Sequence, residues 1–453
     1  MCFETENTNP IIKRVVVMCK MRLCSPALIG SGENELTDRD VYVDTCGKPI
    51  LSGTSLTGIL RRVLDYEDAQ TLFGKLIDSD EDMSNISPLW VFDAHLTRKE
   101  SDEAAEIITI DNVSLDENQR NVQVEKRKQP LELDHMNKVA KSGGKFDYQA
   151  IERGSRFNLK LQLIIRKDDT APLNDLLGKL MSRINSLYVG GKTSRGFGKL
   201  ECTDIYRREF DSNPVGLDAW LGFKWADIEQ QEPEIPVNAS SSGTIQAVLT
   251  LDSTLLIRDD YSVVGDEDTA QITSDGIPVI YGTSWAGAIR GGLARFLKTH
   301  GYKNCESYLD EVFGCDKYDS VLLKQTTLPS KIRIDASYFG DDIRCDRRHN
   351  TTRVKIDRWT GGAVTSKRAL FTTRPQFGGT VTLTVYYQEN ETSIRELFVL
   401  ALQAIDLGLV TVGGETSIGR GVFCVSEIYI DGDIQDDKSA LYKTTKGELM
   451  TCL

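Results

Sequence analysis

The chain has 453 residues, of which 40% are hydrophobic and 27% charged, and its formal net charge is −13. The length suits two domains of about 200 residues each, and the composition excludes a disordered chain. No apolar run approaches the roughly 20 residues that cross a bilayer, and the acidic start lacks the basic and apolar regions of a signal peptide. We therefore expect a cytoplasmic protein without a membrane partner.

The ten cysteines contain no C-x-x-C pair, and the four histidines show no metal-binding spacing. This pattern favours buried thiols over zinc ligands or disulfides. Positive charge, in contrast, is concentrated locally: residues 344–374 hold nine bases against two acids, and residues 120–145 hold seven bases against three acids. Two basic segments in an acidic chain indicate a polyanion bound at defined sites, although solvated loops would show the same composition.

In chain order, an alternating strand pattern over residues 15–23 comes first, and the motif PILSGTSL follows at residues 49–56. Ser55 stands where its hydroxyl can cap the free amides of a helix that begins at Leu56. Another helix is predicted over residues 173–187, and it leads into the loop GGKTSRGFG at residues 190–198.

The second half repeats these signals in the same order. PVIYGTSW at residues 278–285 repeats the helix entry, with Ser284 in place of Ser55, and residues 332–336 repeat residues 89–94, with Asp335 matched to Asp93. A helix over residues 393–409 precedes the loop GGETSIGRG at residues 413–421. Ordered matches of this kind indicate a duplication.

The joint between the copies is polar, with prolines and then serines near residues 229–243, as in linkers. We predict one domain over residues 1–207, a linker over 208–242 and a second domain over 243–453. In each copy the order is strand, helix, strands, helix, strand, which is that of a ferredoxin-like, RNA-recognition-type module. The predicted fold class is α+β, with two such modules in tandem.

The glycine loops allow backbone amides to approach phosphate closely, because no Cβ intervenes. A tight turn between helix and strand is the alternative interpretation. A nucleotide-binding P-loop is rejected, because Ser186 stands where that motif needs glycine and the second copy has Glu415 where the first has Lys192.

A G-G-x-x-S-R-G-x-G loop near the end of a ferredoxin-like domain resembles the RAMP superfamily, the repeat-associated proteins of CRISPR systems. The helix entry at residues 49–56 is similar to the early motif of that family. VKIDRWTGGA at residues 354–363, followed by Leu370 and Phe371, resembles a segment of the backbone subunits of type III effector complexes. The first copy keeps only a degraded form of that segment, and the resemblance covers nearly the whole chain outside residues 208–242.

The resemblance implies a backbone subunit that forms a filament along a guide RNA and exposes the guide for pairing with a target RNA. A thumb insertion from each module would wedge into the guide–target duplex, and a tandem fusion would occupy two filament positions. The implied partners are guide RNA, target RNA and other RAMP subunits of the complex. In active members of the family, an aspartate after the first strand cleaves the target with Mg²⁺ or another divalent metal.

For that aspartate the family spacing, six residues before a second aspartate at Asp44, indicates Asp38 in the first copy. In the second copy the offset between the copies is less certain, and we choose Asp268, with Asp266 as the alternative. Asp38 and Asp268 are thus the predicted catalytic and metal-binding residues. A solvated acidic loop is the competing interpretation.

The predicted RNA contacts combine the glycine loops with basic side chains, since base pairing supplies the sequence specificity. Trp359 and Phe371 suit stacking on bases, although core packing would use the same residue types. The predicted RNA-binding residues are Gly190, Gly191, Ser194, Arg195, Gly196, Gly413, Gly414, Ser417, Arg353, Lys355, Arg358, Lys367, Arg368, Arg61, Arg290, Lys126 and Arg127.

Two alternatives to a target endoribonuclease remain. One is a non-catalytic guide-RNA scaffold, and dependence of target cutting on magnesium would separate it from a nuclease. The other is a stand-alone enzyme that processes guide RNA by histidine or lysine chemistry. The latter is disfavoured because His135 lies in the thumb and the remaining histidines lie outside matching motifs.

Overall fold

A computed structural model describes most of the chain, in ranges separated by gaps. No helix among these residues is long and apolar enough to span a membrane. They form two α+β modules. The described residues are 9–32, 40–74, 87–97, 124–128, 147–169, 171–234, 243–259, 268–274, 276–302, 304–319, 324–340, 350–364, 370–388 and 391–444.

The first module is built on a five-stranded antiparallel sheet, with strand order β10-β11-β1-β9-β5. Helices cover one face of this sheet. The strands are β1 Ile11–Leu23, β2 Gly30–Gly32, β3 Asp40–Val41, β4 Ile50–Leu51, β5 Leu89–Val91, β6 Ala94–His95, β7 Val124–Lys128, β8 Asp147–Ile151, β9 Arg156–Arg166, β10 Ser186–Tyr188 and β11 Lys199–Asp211. The helices are α1 Gly53–Arg62, α2 Tyr66–Phe73 and α3 Leu173–Arg183, with a 3₁₀ turn at Thr193–Arg195.

The opening strand β1 is apolar on both faces because both faces are covered. Val15 and Val17 pack under the helices, whereas Val16 and Met18 pack on the opposite face against Ile228 and its neighbours. Successive side chains of a strand alternate between faces, so a continuous apolar run is expected only where neither face meets water. This explains the unbroken run VVVMC at residues 15–19.

The cover on that opposite face comes from the segment predicted as a linker. Strand β11 continues to Asp211, so the predicted boundary at residue 207 lies inside a strand. Helix α4, Pro214–Leu221, follows, with Asn213 accepting a hydrogen bond from the Gly216 amide at 2.7 Å and proline at the first helical position. A 3₁₀ helix, Trp225–Gln230, completes the cover. Residues 208–234 are therefore an ordered extension of the first module.

The second module repeats the architecture with a five-stranded sheet in the order β20-β25-β12-β26-β27. Its strands are β12 Gly243–Leu251, β13 Thr254–Leu255, β14 Arg258–Asp259, β15 Thr269–Gln271, β16 Thr273–Ser274, β17 Ile277–Ile280, β18 Cys315–Asp319, β19 Lys324–Leu328, β20 Ile332–Ile334, β21 Ser337–Tyr338, β22 Thr351–Val354, β23 Leu370–Arg374, β24 Gln376–Phe377, β25 Thr380–Tyr387, β26 Phe423–Ile430 and β27 Asp433–Ile434. Its helices are α5 Gly282–Thr299, α6 Cys305–Phe313, α7 Thr392–Asp406 and α8 Lys438–Thr444, with a 3₁₀ turn at Thr416–Ile418.

The two sheets are equivalent strand by strand. In the first module β1 lies between β11 and β9, with β5 beyond β9; in the second, β12 lies between β26 and β25, with β20 beyond β25. Each glycine loop is fixed to its own module in the same way, since the Gly191 amide donates to Leu28 and the Gly414 amide donates to Leu256. The predicted duplication is confirmed.

Two local predictions need correction. Helix α1 begins at Gly53, and its cap is Ser52, whose hydroxyl accepts a hydrogen bond from the Ser55 amide at 3.3 Å. Ser55 is therefore inside the first turn. Likewise α5 begins at Gly282, before Ser284, and Tyr281 precedes it without a side-chain cap.

The match of Asp93 with Asp335 is wrong by one residue. Ala94 pairs with Leu51 on strand β4, and Ser337 pairs with Ile280 on strand β17, so Ala94 and Ser337 are equivalent. The residue two positions before each is Phe92 in the first module and Asp335 in the second. Asp93 instead accepts a hydrogen bond from the Gly53 amide at 2.6 Å, at the start of α1.

The modules are joined through the first glycine loop. Phe197 is fully buried within the core of the second module, where its ring stacks on Tyr281 with centroids 5.2 Å apart. Gly196 is also buried, and a Cβ there would lie 2.6 Å from the Ala336 nitrogen and from the Ile334 oxygen. Only glycine permits this approach of the two backbones.

A polar network beside Phe197 completes this joint. The Tyr188 hydroxyl donates to Asp335 at 3.0 Å, and the Lys199 ammonium lies 3.0 Å from the same carboxylate. The Arg333 guanidinium stacks 3.8 Å from the Tyr188 ring centroid. Burial, together with the charge of Asp335, raises the pKa of Tyr188 above its usual value, so the hydroxyl keeps its proton.

Candidate nucleic-acid interface

The two glycine loops have nearly the same backbone. Lys192 and Glu415 are both left-handed, with φ of 56° and 57°. A Cβ on Gly198 would lie 1.8 Å from the Val189 oxygen, and a Cβ on Gly421 would lie 1.8 Å from the Val412 oxygen. Packing within each module alone therefore requires these two glycines, as the tight-turn interpretation expects.

Most loop amides are used internally, and this limits which of them can bind phosphate. Gly191 and Gly414 donate to Leu28 and Leu256, and Gly196 and Gly419 donate within their own turns to Thr193 and Thr416. The amides of Ser194 and Ser417 make no hydrogen bond within the described residues. Of the predicted loop contacts, these two amides are the ones best placed to receive an anion.

The second halves of the two loops differ in which residues are exposed. Arg195 of the first loop is exposed, while the next two residues are buried under the second module. In the second loop Ser417, Ile418 and Gly419 are exposed, and Arg420 is buried within its own module with 4% of its surface accessible. The position of Gly196 thus faces the second module, whereas the equivalent Gly419 faces open surface.

Three arginines surround Glu415 in the second module. Its carboxylate lies 2.9 Å from Arg353 Nη2, 3.3 Å from Arg420 Nε and 3.7 Å from Arg258 Nη2. Arg420 Nη2 also donates to the Thr373 hydroxyl at 3.1 Å. Burial lowers the pKa of Arg420, Glu415 opposes this, and Arg353 and Arg258 add to the lowering; an arginine nevertheless stays charged at neutral pH.

The same region contains the predicted catalytic residue of the second copy. Asp268 is exposed and immediately precedes β15 in a four-stranded sheet of order β14-β15-β23-β22. Its Oδ2 accepts a hydrogen bond from the Thr372 amide at 2.7 Å, and its own amide donates to the Thr372 oxygen at 2.9 Å. Because Arg258 lies on β14 and Arg353 on β22, the sheet brings the acid, the basic segment and the second glycine loop together.

Strand pairing bears on the choice between Asp268 and Asp266. Gln271 pairs with Arg258 in the second module, and Val41 pairs with Gly30 in the first. Counting back three residues from Gln271 and from Val41 reaches Asp268 and Asp38. The register therefore favours Asp268 as the equivalent of Asp38, although Asp38 and Asp266 themselves lie outside the described residues.

Asp44, which served to locate Asp38, has a structural role. Its Oδ1 accepts hydrogen bonds from the Lys48 amide at 2.9 Å and the Cys46 amide at 2.8 Å. The hydrogen bond from the Lys48 amide lowers the pKa of Asp44 most, and the hydrogen bond from Cys46 and the nearby His95 lower this pKa further. Asp44 therefore fixes the turn that leads into β4.

The segment VKIDRWTGGA at residues 354–363 forms a hairpin-like tip beyond β22. Asp357 organises it by accepting hydrogen bonds from the Thr360 amide at 2.7 Å and the Trp359 amide at 3.0 Å, and Ile356 bridges to Ala363. Trp359 is 93% exposed, so the core-packing alternative for this residue is wrong. Lys355 and Arg358 are exposed beside it, whereas Lys367 and Arg368 lie outside the described residues.

Arg61 and Arg290 are engaged within their own modules. Arg61 Nη1 donates to the Gly74 oxygen at 3.0 Å, just beyond α2. Arg290 pairs with Asp310 on the neighbouring helix α6. An RNA contact by either residue would require these bonds to break. Lys126 and Arg127 lie on β7, which pairs with β8 as β22 pairs with β23.

A divalent metal was predicted with Asp38 and Asp268. Among the described residues there is no group of three or more His, Cys, Asp or Glu side chains that could hold a metal ion. Asp268 nevertheless keeps one carboxylate oxygen, Oδ1, without a hydrogen bond in this part of the chain. Magnesium is often held by one or two carboxylates together with substrate phosphates, and a single exposed carboxylate fits that mode of binding.

Comparison with known proteins identifies the family. The family model of the RAMP superfamily matches residues 20–201 and 248–424, one region in each module. The chain belongs to the RAMP superfamily. The predicted resemblance is thereby confirmed, and the ordered extension at residues 208–234 lies between the two matched regions.

The individual relatives share little sequence identity with this chain. The chain is 24% identical over 170 residues to a Methanocaldococcus jannaschii protein named CRISPR system Cms endoribonuclease Csm3, covering 37% of this chain and 68% of that protein. Two solved chains of the type III-B Cmr-beta complex, one bound to cognate target RNA and one in the apo state, share 13% and 12% identity. Each match covers 41% of this chain and 96% of the solved chain, with a TM-score of 0.31.

Sequence reasoning included Arg353 but missed Arg258 and Arg420 beside Glu415, and it missed the docking of Phe197. Arg258 and Arg420 stand alone in the sequence, outside both basic segments. The available signal was the exchange between the loops, in which Lys192 and Phe197 of the first correspond to Glu415 and Arg420 of the second.

Proposed function

We propose that this chain is a guide-RNA-binding backbone subunit of a type III CRISPR effector complex and that it cleaves the paired target RNA. Membership of the RAMP superfamily supports the class of protein, and the relative named as an endoribonuclease supports the activity. The observation that carries the proposal is the convergence of Asp268, the basic strands and the second glycine loop on one four-stranded sheet.

Each module is proposed to be a ferredoxin-like unit with a thumb insertion. The strand order supports this topology. The first strand of each module, β1 or β12, lies between the third, β9 or β25, and the fourth, β11 or β26. The second strand, β5 or β20, lies at the edge of the sheet. In the second module the thumb includes residues 350–364, and its exposed Trp359 is suited to stack on bases or to separate them. The two modules would occupy successive positions along the guide, beside other RAMP subunits.

Guide binding would rely on shape and charge, because pairing between guide and target supplies the sequence specificity. Lys355 and Arg358 are exposed on the hairpin, and Arg353 lies at the mouth of the second loop. The amides of Ser194 and Ser417 add neutral donors that fit phosphate oxygens. An acidic protein can bind RNA in this way through one locally basic surface.

For cleavage, Asp268 and its equivalent Asp38 would each serve one site. Oδ2 of Asp268 is held by the Thr372 amide, which fixes the direction of the carboxylate and leaves Oδ1 to hold a divalent ion or to orient a ribose 2′-hydroxyl. A bound magnesium ion would stabilise charge on the scissile phosphate. The exposure of Asp268 allows an RNA strand to reach the carboxylate.

A non-catalytic guide-RNA scaffold is the second candidate. It is favoured by the hydrogen bond between Asp268 and Thr372, which also gives the carboxylate a structural task. Among the described residues, no group of three or more His, Cys, Asp or Glu side chains surrounds it. Under this alternative the same surface binds guide RNA, and another subunit cleaves the target.

Cleavage of a labelled target RNA by the guide-loaded complex separates these candidates. We expect two magnesium-dependent cuts, with Asp38→Ala removing one and Asp268→Ala the other, each by about a thousandfold in rate. Target binding should be unchanged, and Asp433→Ala, an exposed acid on edge strand β27, should cut normally at both places. Two unchanged cuts in the double variant would reject catalysis by this chain.

A further inference from the structure

We propose that Glu415 is a positioning residue that holds Arg258, Arg353 and Arg420 together as one site for a backbone phosphate of RNA. The inference deepens the proposed function and rests on it. It concerns a residue whose charge alone would argue against RNA binding.

The cluster is positively charged despite its carboxylate. Three guanidinium groups around one carboxylate leave a net charge of +2 at the mouth of the second glycine loop. The Arg258 side chain is 53% exposed and that of Arg353 is 37% exposed, whereas the Glu415 side chain is 15% exposed. The negative charge therefore lies beneath the positive groups, and the side accessible to a ligand is basic.

Arg420 has a hydrogen-bond donor that is not satisfied. Arg420 is 4% exposed, and its Nη1 is buried without a hydrogen-bond partner in the described part of the chain. Its Nε faces Glu415 and its Nη2 donates to Thr373. Buried guanidinium donors are rarely left unpaired because desolvation is costly, so this atom indicates a missing acceptor. Guanidinium groups match phosphate oxygens in charge and geometry.

The first module lacks the cluster as a whole. The positions of Glu415 and Arg420 hold Lys192 and Phe197, and the position of Arg258 holds Gly30 by strand pairing. The second module has an acid, Glu415, where the arginines converge. The first module has a base, Lys192, at that position and lacks the equivalents of Arg258 and Arg420. This correlation is expected if the acid serves to fix the arginines.

Fixing the arginines matters because long side chains lose conformational freedom when they bind a ligand. Glu415 orders Arg353 and Arg258 before RNA arrives, so less entropy is lost on binding. Without the carboxylate, three like charges would repel one another and the two exposed side chains would move apart. The site would then be more positive but would lose its geometry.

The test compares two effects of Glu415→Gln that change RNA affinity in opposite directions. Glu415→Gln removes a negative charge beside RNA, and electrostatics alone would tighten binding. We expect instead about tenfold weaker binding of a single-stranded RNA of guide length, because two arginines must be ordered on binding. Glu427→Gln removes the same charge from β26, and this control should bind as the parent does.

Glu415→Asp keeps the carboxylate and should recover most of the affinity, a rescue that loss of folding would not show. Equal or tighter RNA binding by Glu415→Gln, in a variant that melts like the parent, would overturn the inference. If the unaltered chain bound no RNA, the proposed function would fail. Inorganic phosphate would then decide, since stabilisation of the parent but not of Glu415→Gln against heat would support positioning, and equal stabilisation would reject it.

Discussion

The first and second glycine loops share a backbone and differ in what they contact. Both are left-handed at Lys192 or Glu415, and both contain a 3₁₀ turn. Phe197 crosses into the core of the second module, whereas Arg420 turns back towards Glu415 in its own module. One exchange of side chain separates a joint between modules from a charged surface, so loop geometry alone does not determine the partner of a loop.

The largest expected effect follows from removing the side chain that forms the joint. Phe197→Ala should lower the free energy of unfolding by about 3 to 5 kcal/mol, because a fully buried aromatic ring leaves a cavity. Urea denaturation followed by fluorescence measures this change. Trp359→Ala removes a 93% exposed aromatic side chain and should stay within about 0.5 kcal/mol of the parent. Similar losses in the two variants would contradict the role of Phe197.

A matched pair of glycine substitutions sharpens the comparison. Gly196→Ala and Gly419→Ala introduce the same strain, because φ is +81° and +89° at these positions. Only the first also places a Cβ 2.6 Å from backbone atoms of the other module, while Gly419 has no atom within 4 Å of that point. We expect Gly196→Ala to cost about 2 kcal/mol more in the same denaturation experiment. Equal costs would mean that the first loop is as open as the second.

The smallest effect concerns the polar part of the joint. Asp335→Ala leaves the Tyr188 hydroxyl and the Lys199 ammonium without their shared acceptor, and we expect a loss of about 1.5 kcal/mol in the free energy of unfolding. Asp433→Ala, on the opposite edge of the same sheet, should change stability little. A loss no greater than that of the Asp433 variant would show that apolar contacts alone hold the joint.

Much of the architecture could be predicted because it depends on local signals. Glycines at positive φ are required by the turns themselves, so both loops stand out in the sequence, and helices over residues 173–187 and 393–409 are observed as Leu173–Arg183 and Thr392–Asp406. The start of α1 was misplaced because Ser52 and Ser55 are both good caps, and their hydroxyls hydrogen-bond to each other at 2.9 Å.

The contacts between distant segments could not be predicted in the same way. From the sequence, Phe197 is expected to be an ordinary core residue. The residues beside it in the sequence do not show that it enters the core of the other module. Glu415 meets arginines from two other strands and from its own loop, and such a cluster depends on sheet register rather than on spacing in the sequence. The composition of residues 208–242 likewise predicted a linker, although part of this segment covers the sheet of the first module. The apolar residues that hold this part in place pack against strands from elsewhere in the chain, so local composition does not show their role.

A cryo-EM map of the chain assembled on guide RNA tests the central claim most directly. We predict an RNA backbone across the four-stranded sheet of the second module, with a phosphate at the arginines around Glu415 and with Trp359 against the bases. The first module should carry the preceding stretch of guide on its equivalent surface, with Phe197 still buried in the joint. RNA bound along the helices, or Phe197 withdrawn from the second module, would contradict the account.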